Sequence, residues 1–374
     1  MKNFFSNDLL PEGFKVLLPD KAHKEENISR IILDSFFKNG YLLVKTPIIE
    51  YEDNTSQNYL KSLNNDSFIL IEPETKKVLV LRTDITPQVA KLACTKLKHY
   101  PRPIRLTYSG EVIRNSKNNY NSERQFRQIG AELIGGSPKS SLQEILQIAI
   151  STLSVFKIRN ITIDFSLPAI SRLIDKNLNL KIKSNKLIKE ALDNKDSGVI
   201  KNKKYNYING LILLSGTIEK ARKDFKKFKF PKNIEKLLKN FFSLSLGLQK
   251  KFNGLSITVD ITEGKSFLEY NNFGFKIYNK SNAQPIALGG DYKSNDNEFG
   301  LGITFLVSHL VNSISYKKNL KVYVPYSLNA SSKKLNKSII VIKELFPGKN
   351  ALKEAKKHDC DYMLNKNGQL KKVK

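Results

Sequence analysis

The sequence predicts an α+β fold built on a largely antiparallel sheet flanked by helices. Three observations predict it. Strand-forming stretches come in runs without a regular strand–helix–strand alternation, amphipathic helical stretches separate those runs, and no internal repeat or low-complexity linker divides the chain. At 374 residues there is room for one large domain and a small one, each with its own core. Hydrophobic residues make up 40% and aromatics 10%, which excludes wholesale disorder. No apolar run approaches the roughly 20 residues of a membrane span. The opening MKNFFSNDLLPEGF has neither the unbroken apolar core nor the small-residue cleavage site expected of a signal peptide, and the sparse cysteines, Cys94 and Cys360, fit the reducing cytoplasm, where the protein is expected.

The elements follow in chain order. Residues 20–38 read as a helix, because Ala22, Ile28, Ile31, Ile32, Ser35 and Phe36 recur at near-helical spacing before the stop signal Asn39-Gly40. Residues 41–51 are rich in strand formers but carry Pro47, which suits an edge strand or a bulge. Residues 68–71 and 78–81 pair around the turn-like PETKK. A helix is expected over 86–99, with Pro87 where a first turn tolerates it. Strands follow at 104–108, 111–114 and 126–134, then an amphipathic helix at 141–156. Residues 169–251 read as a helical insertion, with apolar stripes Leu187–Ile188–Leu192 and Leu237–Leu238–Phe241–Phe242. Strands return at 255–259, 273–278, 284–288 and 300–305, the last leading into a helix. A weak boundary near Tyr316 gives a core of residues 1–316 and a short α/β tail of 317–374, which ends in a hairpin turning at Asn367-Gly368.

Composition narrows the chemistry. Two cysteines, Cys94 and Cys360, lie far apart, which excludes a disulfide framework and a thiolate zinc site. The histidines (His23, His99, His309, His358) are scattered, so neither a metal nor a cofactor is expected. The net charge of +28 suits nucleic-acid binding in principle. The lysines are spread over nearly every segment, however, and no RNA-binding signature accompanies them; charge of this kind informs on solubility and non-specific association rather than fold.

Five blocks in order resemble the core of class II aminoacyl-tRNA synthetases, specifically the histidyl enzyme, across residues 9–312. They are GYLLVKTPIIE, LRTDITPQVAK (81–91), RLTYSGEVIR with RQFRQIGAELIG (105–135), the region 264–278 with ALGGDY (287–292), and GLGITF (300–305). The resemblance implies that Asp84, Thr86, Gln128, Glu132 and Tyr270 form a histidine pocket in which the first four clamp the amino group. Two carboxylates and two neutral acceptors suit an ammonium taken out of water, since an unpaired buried cation is costly.

The departures from the family pattern decide the expected activity. Forming an adenylate needs positive charge around the phosphates. Arg114 and Arg124 stand at family arginine positions and read as a vestigial nucleotide site, but Ser116 and Ser122 replace an acidic residue and an arginine. Lys265 stands where the catalytic arginine belongs, and Leu268 and Glu269 replace an Asp and a Tyr. No arginine occurs in TFLVSHL, near Leu306 and Val307. Losing one preorganised charge donor typically costs about 100- to 1,000-fold in rate, or ~2.7–4 kcal/mol. Lysine at 265 lacks arginine's bidentate fork. No catalytic residue is therefore assigned.

The short tail is also too small for an anticodon-binding domain. The chain resembles instead the ATP phosphoribosyltransferase regulatory subunits, a histidyl-tRNA synthetase-like family. That resemblance implies a non-catalytic subunit for the first step of histidine biosynthesis. It would be a homodimer within a hetero-oligomer with the short-form catalytic subunit, with L-histidine as a ligand in feedback inhibition. A divergent histidyl-tRNA synthetase and an RNA-binding synthetase paralogue are the alternatives. His358 and Cys360, close together in the tail, read as packing rather than metal ligands.

Overall fold

The computed structural model describes residues 9–52, 66–115, 123–178, 186–198, 200–202, 205–261, 270–280, 283–295, 298–314, 320–328, 339–348 and 350–373. Two compact units are present, Met1–Ile314 and Ser315–Lys374.

The first unit opens with α1 (Pro19–Phe37), which buries Ile28, Ile32 and Phe36 along one stripe. The chain then supplies β1 (Leu42–Leu43), β2 (Ile49–Tyr51), β3 (Ile69–Ile71), β4 (Val78–Leu81), α2 (Thr86–Cys94), β5 (Ile104–Ile113), β6 (Gln125–Ile134) and α3 (Pro138–Val155). After β7 (Ile161–Ser166) come α4 (Pro168–Leu178), α5 (Lys186–Asp193), α6 (Asn206–Leu213), β8 (Gly216–Thr217), α7 (Ile218–Phe225) and α8 (Lys232–Lys251). Strands β9 (Ser256–Asp260), β10 (Gly274–Asn279), β11 (Pro285–Lys293) and β12 (Phe299–Leu306) lead into α9 (Val307–Ser313).

Nine of these strands form one sheet in the order β1-β5-β6-β12-β11-β10-β7-β9-β8. Only β1–β5 and β7–β9 pair in parallel; the other neighbours are antiparallel, as the sequence predicts. Alternation along each strand gives the sheet two unlike faces. One carries Ile129, Ala131, Leu133, Ile303, Phe305, Phe275, Ile163 and Phe165, which merge with α1, α3 and the helices after β7 into a single core. At about 1.5–3 kcal/mol per fully buried large apolar side chain, this face dominates the stability of the unit. The other face holds the polar residues described below.

The structure revises several expectations locally. Residues 41–51 do not make one strand: β1 edges the large sheet, while β2 joins a separate three-stranded sheet, β2-β4-β3. Thr46 and Pro47 lie between them, where their carbonyls accept from Arg82 Nη1 (2.9 and 3.4 Å). Helix α2 ends at Cys94 rather than His99. The two strands expected at 104–114 are one ten-residue strand, β5. The insertion is not purely helical, since β8 joins the sheet beside β9. On α5, Ile188 and Leu192 are buried but Leu187 faces outward. Among the described residues, no helix is long and apolar enough to cross a membrane.

The second unit is a four-stranded sheet, β14-β13-β15-β16, made of β13 (Lys321–Val324), β14 (Ile340–Lys343), β15 (Tyr362–Leu364) and β16 (Leu370–Lys372), with α10 (Ala351–Lys357) before β15. Tyr323, Ala355, Cys360 and Val373 pack together in its core, and His358 stacks on Tyr323. The hairpin turn places Gly368 at φ +73°, a left-handed conformation that glycine adopts without strain.

Candidate functional site

The polar face of the large sheet is assembled by register. Tyr108 on β5 pairs with Gly130 on β6, Glu132 with Gly302 on β12, and Gly302 with Gly290 on β11. Helix α2 covers the β5 end of this face, packing Ile85, Val89 and Ala93 in one cluster with Leu106 and Tyr108. That packing delivers Asp84 and Thr86, at the start of the helix, to the sheet.

Asp84, Thr86, Gln128 and Glu132 are brought together by the fold. Asp84 Oδ1 accepts from the Thr86 amide (2.8 Å), a local turn that precedes α2, and from Gln128 Nε2 (2.8 Å). Gln128 is fixed at both ends of its amide. Its Oε1 accepts from the Ile85 amide (2.9 Å), and its Nε2 also reaches Thr304 Oγ1 (3.3 Å). Thr86 Oγ1 lies 2.9 Å from the Tyr108 hydroxyl, which stands 3.4 Å from Glu132 Oε1 and 3.2 Å from Thr304 Oγ1. The Tyr292 hydroxyl donates to the other oxygen of Glu132 at 2.7 Å.

Glu132 is only 1% exposed. Burial pushes its carboxyl up to about 8; the charge of Asp84 acts in the same direction, while hydrogen bonds from Tyr292, Thr86 and Tyr108 oppose it. Burial likewise raises the Tyr108 phenol well above its usual range. Among the described residues, none of the hydrogen bonds of Asp84, Thr86, Gln128 or Glu132 goes to a lysine or arginine. A ligand bearing an ammonium or protonated imidazole would supply the missing positive charge and draw Glu132 into its ionised form.

The floor of the site depends on close approach. The Glu132 carboxylate lies across Gly302, where a β-carbon would collide with it, and the Tyr270 ring lies against Gly290 in the same way. Tyr270 is thereby placed on the polar face two strands from Glu132. Lys265, Leu268, Glu269, Ser116 and Ser122 fall outside the described residues.

The end expected to face phosphates differs. Arg114 Nε donates to the Thr83 carbonyl (3.1 Å), and its guanidinium lies over Phe126, 5.3 Å from the ring centroid. Arg124 sits over both Phe68 (4.7 Å) and Phe14 (5.4 Å), donating to Asn115 Oδ1 (2.8 Å), the Glu12 carbonyl (3.3 Å) and the Arg114 carbonyl (3.2 Å). At the β12–α9 junction, Leu306 and Val307 are buried apolar residues.

Three residues of the site escaped sequence reasoning: Tyr108, Tyr292 and Thr304. All three lie inside the motif blocks, but what each faces is set by cross-strand register rather than by its own strand.

A largely antiparallel sheet with a polar, glycine-floored face and a helix delivering the Asp84–Thr86 turn to it is the core of a class II aminoacyl-tRNA synthetase-like protein. A family model described as histidyl-tRNA synthetase matches residues 13–307. The ATP phosphoribosyltransferase regulatory subunit of Rhodospirillum centenum is 26% identical over 364 residues, covering 95% of this chain and 94% of the relative. That of Rhodospirillum rubrum is 30% identical over 293 residues, covering 77% and 76%. Among solved structures, an ATP phosphoribosyltransferase regulatory subunit/histidyl-tRNA synthetase from Bacillus halodurans shares the fold at a TM-score of 0.76 and 18% identity, covering 95% of this chain and 97% of that one. A chain of the ATP phosphoribosyl transferase (HisG:HisZ) complex from Thermotoga maritima matches at a TM-score of 0.58 and 19% identity, covering 76% and 97%. The chain belongs to the ATP phosphoribosyltransferase regulatory subunits, within the histidyl-tRNA synthetase family.

Proposed function

We propose that this chain is the non-catalytic regulatory subunit of ATP phosphoribosyltransferase, acting in the cytoplasm on the first step of histidine biosynthesis. Its partner is the short-form catalytic subunit, which condenses ATP with phosphoribosyl pyrophosphate to give phosphoribosyl-ATP and pyrophosphate. The names of the relatives and the Thermotoga maritima complex support this reading.

The observation that carries the non-catalytic part is the filling of the β12–α9 junction by buried Leu306 and Val307, where the family pattern needs an arginine. Arg124, engaged over the rings of Phe14 and Phe68 and by carbonyls, supports the same reading. L-histidine is the ligand of Asp84, Thr86, Gln128, Glu132 and Tyr270. It regulates by binding one state of the assembly more tightly than the other, which is the only way a ligand shifts an equilibrium. A homodimer within the hetero-oligomer is supported by Phe37, Leu42 and Leu43, which leave apolar surface exposed where α1 runs into the edge strand β1.

The test is phosphoribosyl-ATP formation by the short catalytic subunit with and without this chain, followed by added histidine. Activation that histidine suppresses is expected. A catalytic subunit unaffected by this chain would contradict the assignment, and the RNA-binding paralogue would then be tested by salt-dependent RNA binding.

A further inference from the structure

A cavity of about 630 Å³ opens away from the polar face, between the start of α3, helices α4 and α8, and the segment entering β10. None of the candidate histidine-site residues lines it. Its apolar part comes from Leu167, Leu173, Leu237, Phe241, Leu244 and Phe273. Asn233, Asn240 and Asn272 add amides, and Lys139 and Lys236 add positive charge. Among the described residues, no carboxylate lines it.

Helix α8 shows why this is neither ordinary surface nor ordinary core. One stripe, with Ile234, Leu238, Phe242 and Leu248, is buried in the core. A second stripe, with Asn233, Lys236, Leu237, Asn240 and Leu244, faces the cavity. Leucine is out of place on a fully solvated stripe, and asparagine and lysine are out of place in a core. Apolar walls with a few placed polar groups are what small-molecule pockets have, and their usual volume is roughly 300–1,000 Å³.

We propose that this cavity is a second ligand site, for a small organic anion with an apolar body, such as an aromatic or aliphatic carboxylate, sulfonate or phosphate. Lys139 and Lys236 take the anionic group and the leucine–phenylalanine floor takes the body. A small molecule fits better than a peptide segment because α4 and α8 are joined at Asn233, whose side chain exchanges two hydrogen bonds with Asn177 (3.2 Å each).

The site carries its own reporter. The Asn272 amide (2.8 Å), the Asn272 side chain (2.6 Å) and the Phe273 amide (2.8 Å) all donate to Asp291, a buried carboxylate. Asn272 and Phe273 line the cavity, so an occupant pressing on them alters the exchange of those two amides.

The probe is 8-anilinonaphthalene-1-sulfonate, an anion on an aromatic body, titrated into the full chain. We expect one saturable binding event and slowed hydrogen exchange at Asn272 and Phe273. The event weakens at least roughly fivefold in Lys139→Glu/Lys236→Glu. It stays within about twofold in Lys250→Glu/Lys251→Glu, which makes the same charge change on α8 away from the cavity. Asn240→Trp, which fills the cavity, abolishes it; if that variant fails to fold, the two charge variants still decide. Equal losses in the two charge variants, unchanged exchange at residues 272 and 273, or no saturable event would overturn the proposal.

Discussion

The two ends of the polar sheet face have different chemistry. At the proposed histidine end, Asp84, Thr86, Gln128 and Glu132 are tied to one another and to Tyr108, Thr304 and Tyr292, with two carboxyl groups close together. At the end where the family resemblance places the phosphates, Arg124 is held by aromatic rings and carbonyls, and the β12–α9 junction is filled by apolar side chains. Recognising a cationic small molecule and activating a phosphate would place different demands on such a sheet. The first needs a few satisfied polar groups, and the second needs unsatisfied positive charge held in place.

Putting the charge back should have the largest effect. Val307→Arg places a guanidinium at a position 1% exposed, and we expect a loss of about 4 kcal/mol or more in denaturant unfolding, with no adenylate formed. A stable variant that supports histidine-dependent ATP–pyrophosphate exchange would show that the phosphate end is intact apart from one residue.

Next comes Glu132→Gln, which keeps the shape but replaces one of two accepting oxygens by a donor and removes the ability to ionise. Histidine affinity measured by calorimetry is expected to fall by about 100-fold or more, equivalent to ~2.7 kcal/mol. Unchanged affinity would remove Glu132 from the clamp. Arg124→Met has a smaller expected effect. It costs about 1–2 kcal/mol of stability through lost ring contacts and hydrogen bonds, while histidine affinity stays within about twofold. A large affinity loss would join the two ends of the face into one functional unit.

The pH dependence of Glu132 sharpens the electrostatics. Its carboxyl is pushed up to about 8 in the folded chain, against roughly 4.3 for an unfolded one. The folded state keeps a proton that the unfolded state has released, so this group favours folding most below about pH 4. That contribution is lost as pH rises towards 8, at up to ~1.4 kcal/mol per pH unit. Unfolding of Glu132→Gln across this window should therefore lose less stability than the parent as pH rises. Parallel profiles for the two proteins would mean that Glu132 is already ionised in the folded state.

Much of this was legible in the sequence where the signal is local. The single stripe of α1 and the hairpin at Asn367-Gly368 each depend on neighbours a few residues away. That Asp84, Thr86, Gln128 and Glu132 belong to one cluster was legible from the motif blocks, but their other partners were not. Tyr292 meets Glu132 only because β12 lies between β6 and β11, and Thr304 meets Gln128 through the same pairing. Strand β8 is two residues long and exists by pairing with β9, so its own sequence carries almost no signal. Leu187 was placed with a stripe by its apolar character alone, although Ile188 and Leu192 already complete the buried side of a two-turn helix.

The separation of recognition from activation is tested most directly by two measurements on one preparation of the full chain: histidine binding by calorimetry, and histidine-dependent ATP–pyrophosphate exchange. Saturable histidine binding, lost in Glu132→Gln, is expected, with no exchange above the protein-free background. Exchange that requires histidine and is lost in Glu132→Gln would contradict it, making the chain a working synthetase core.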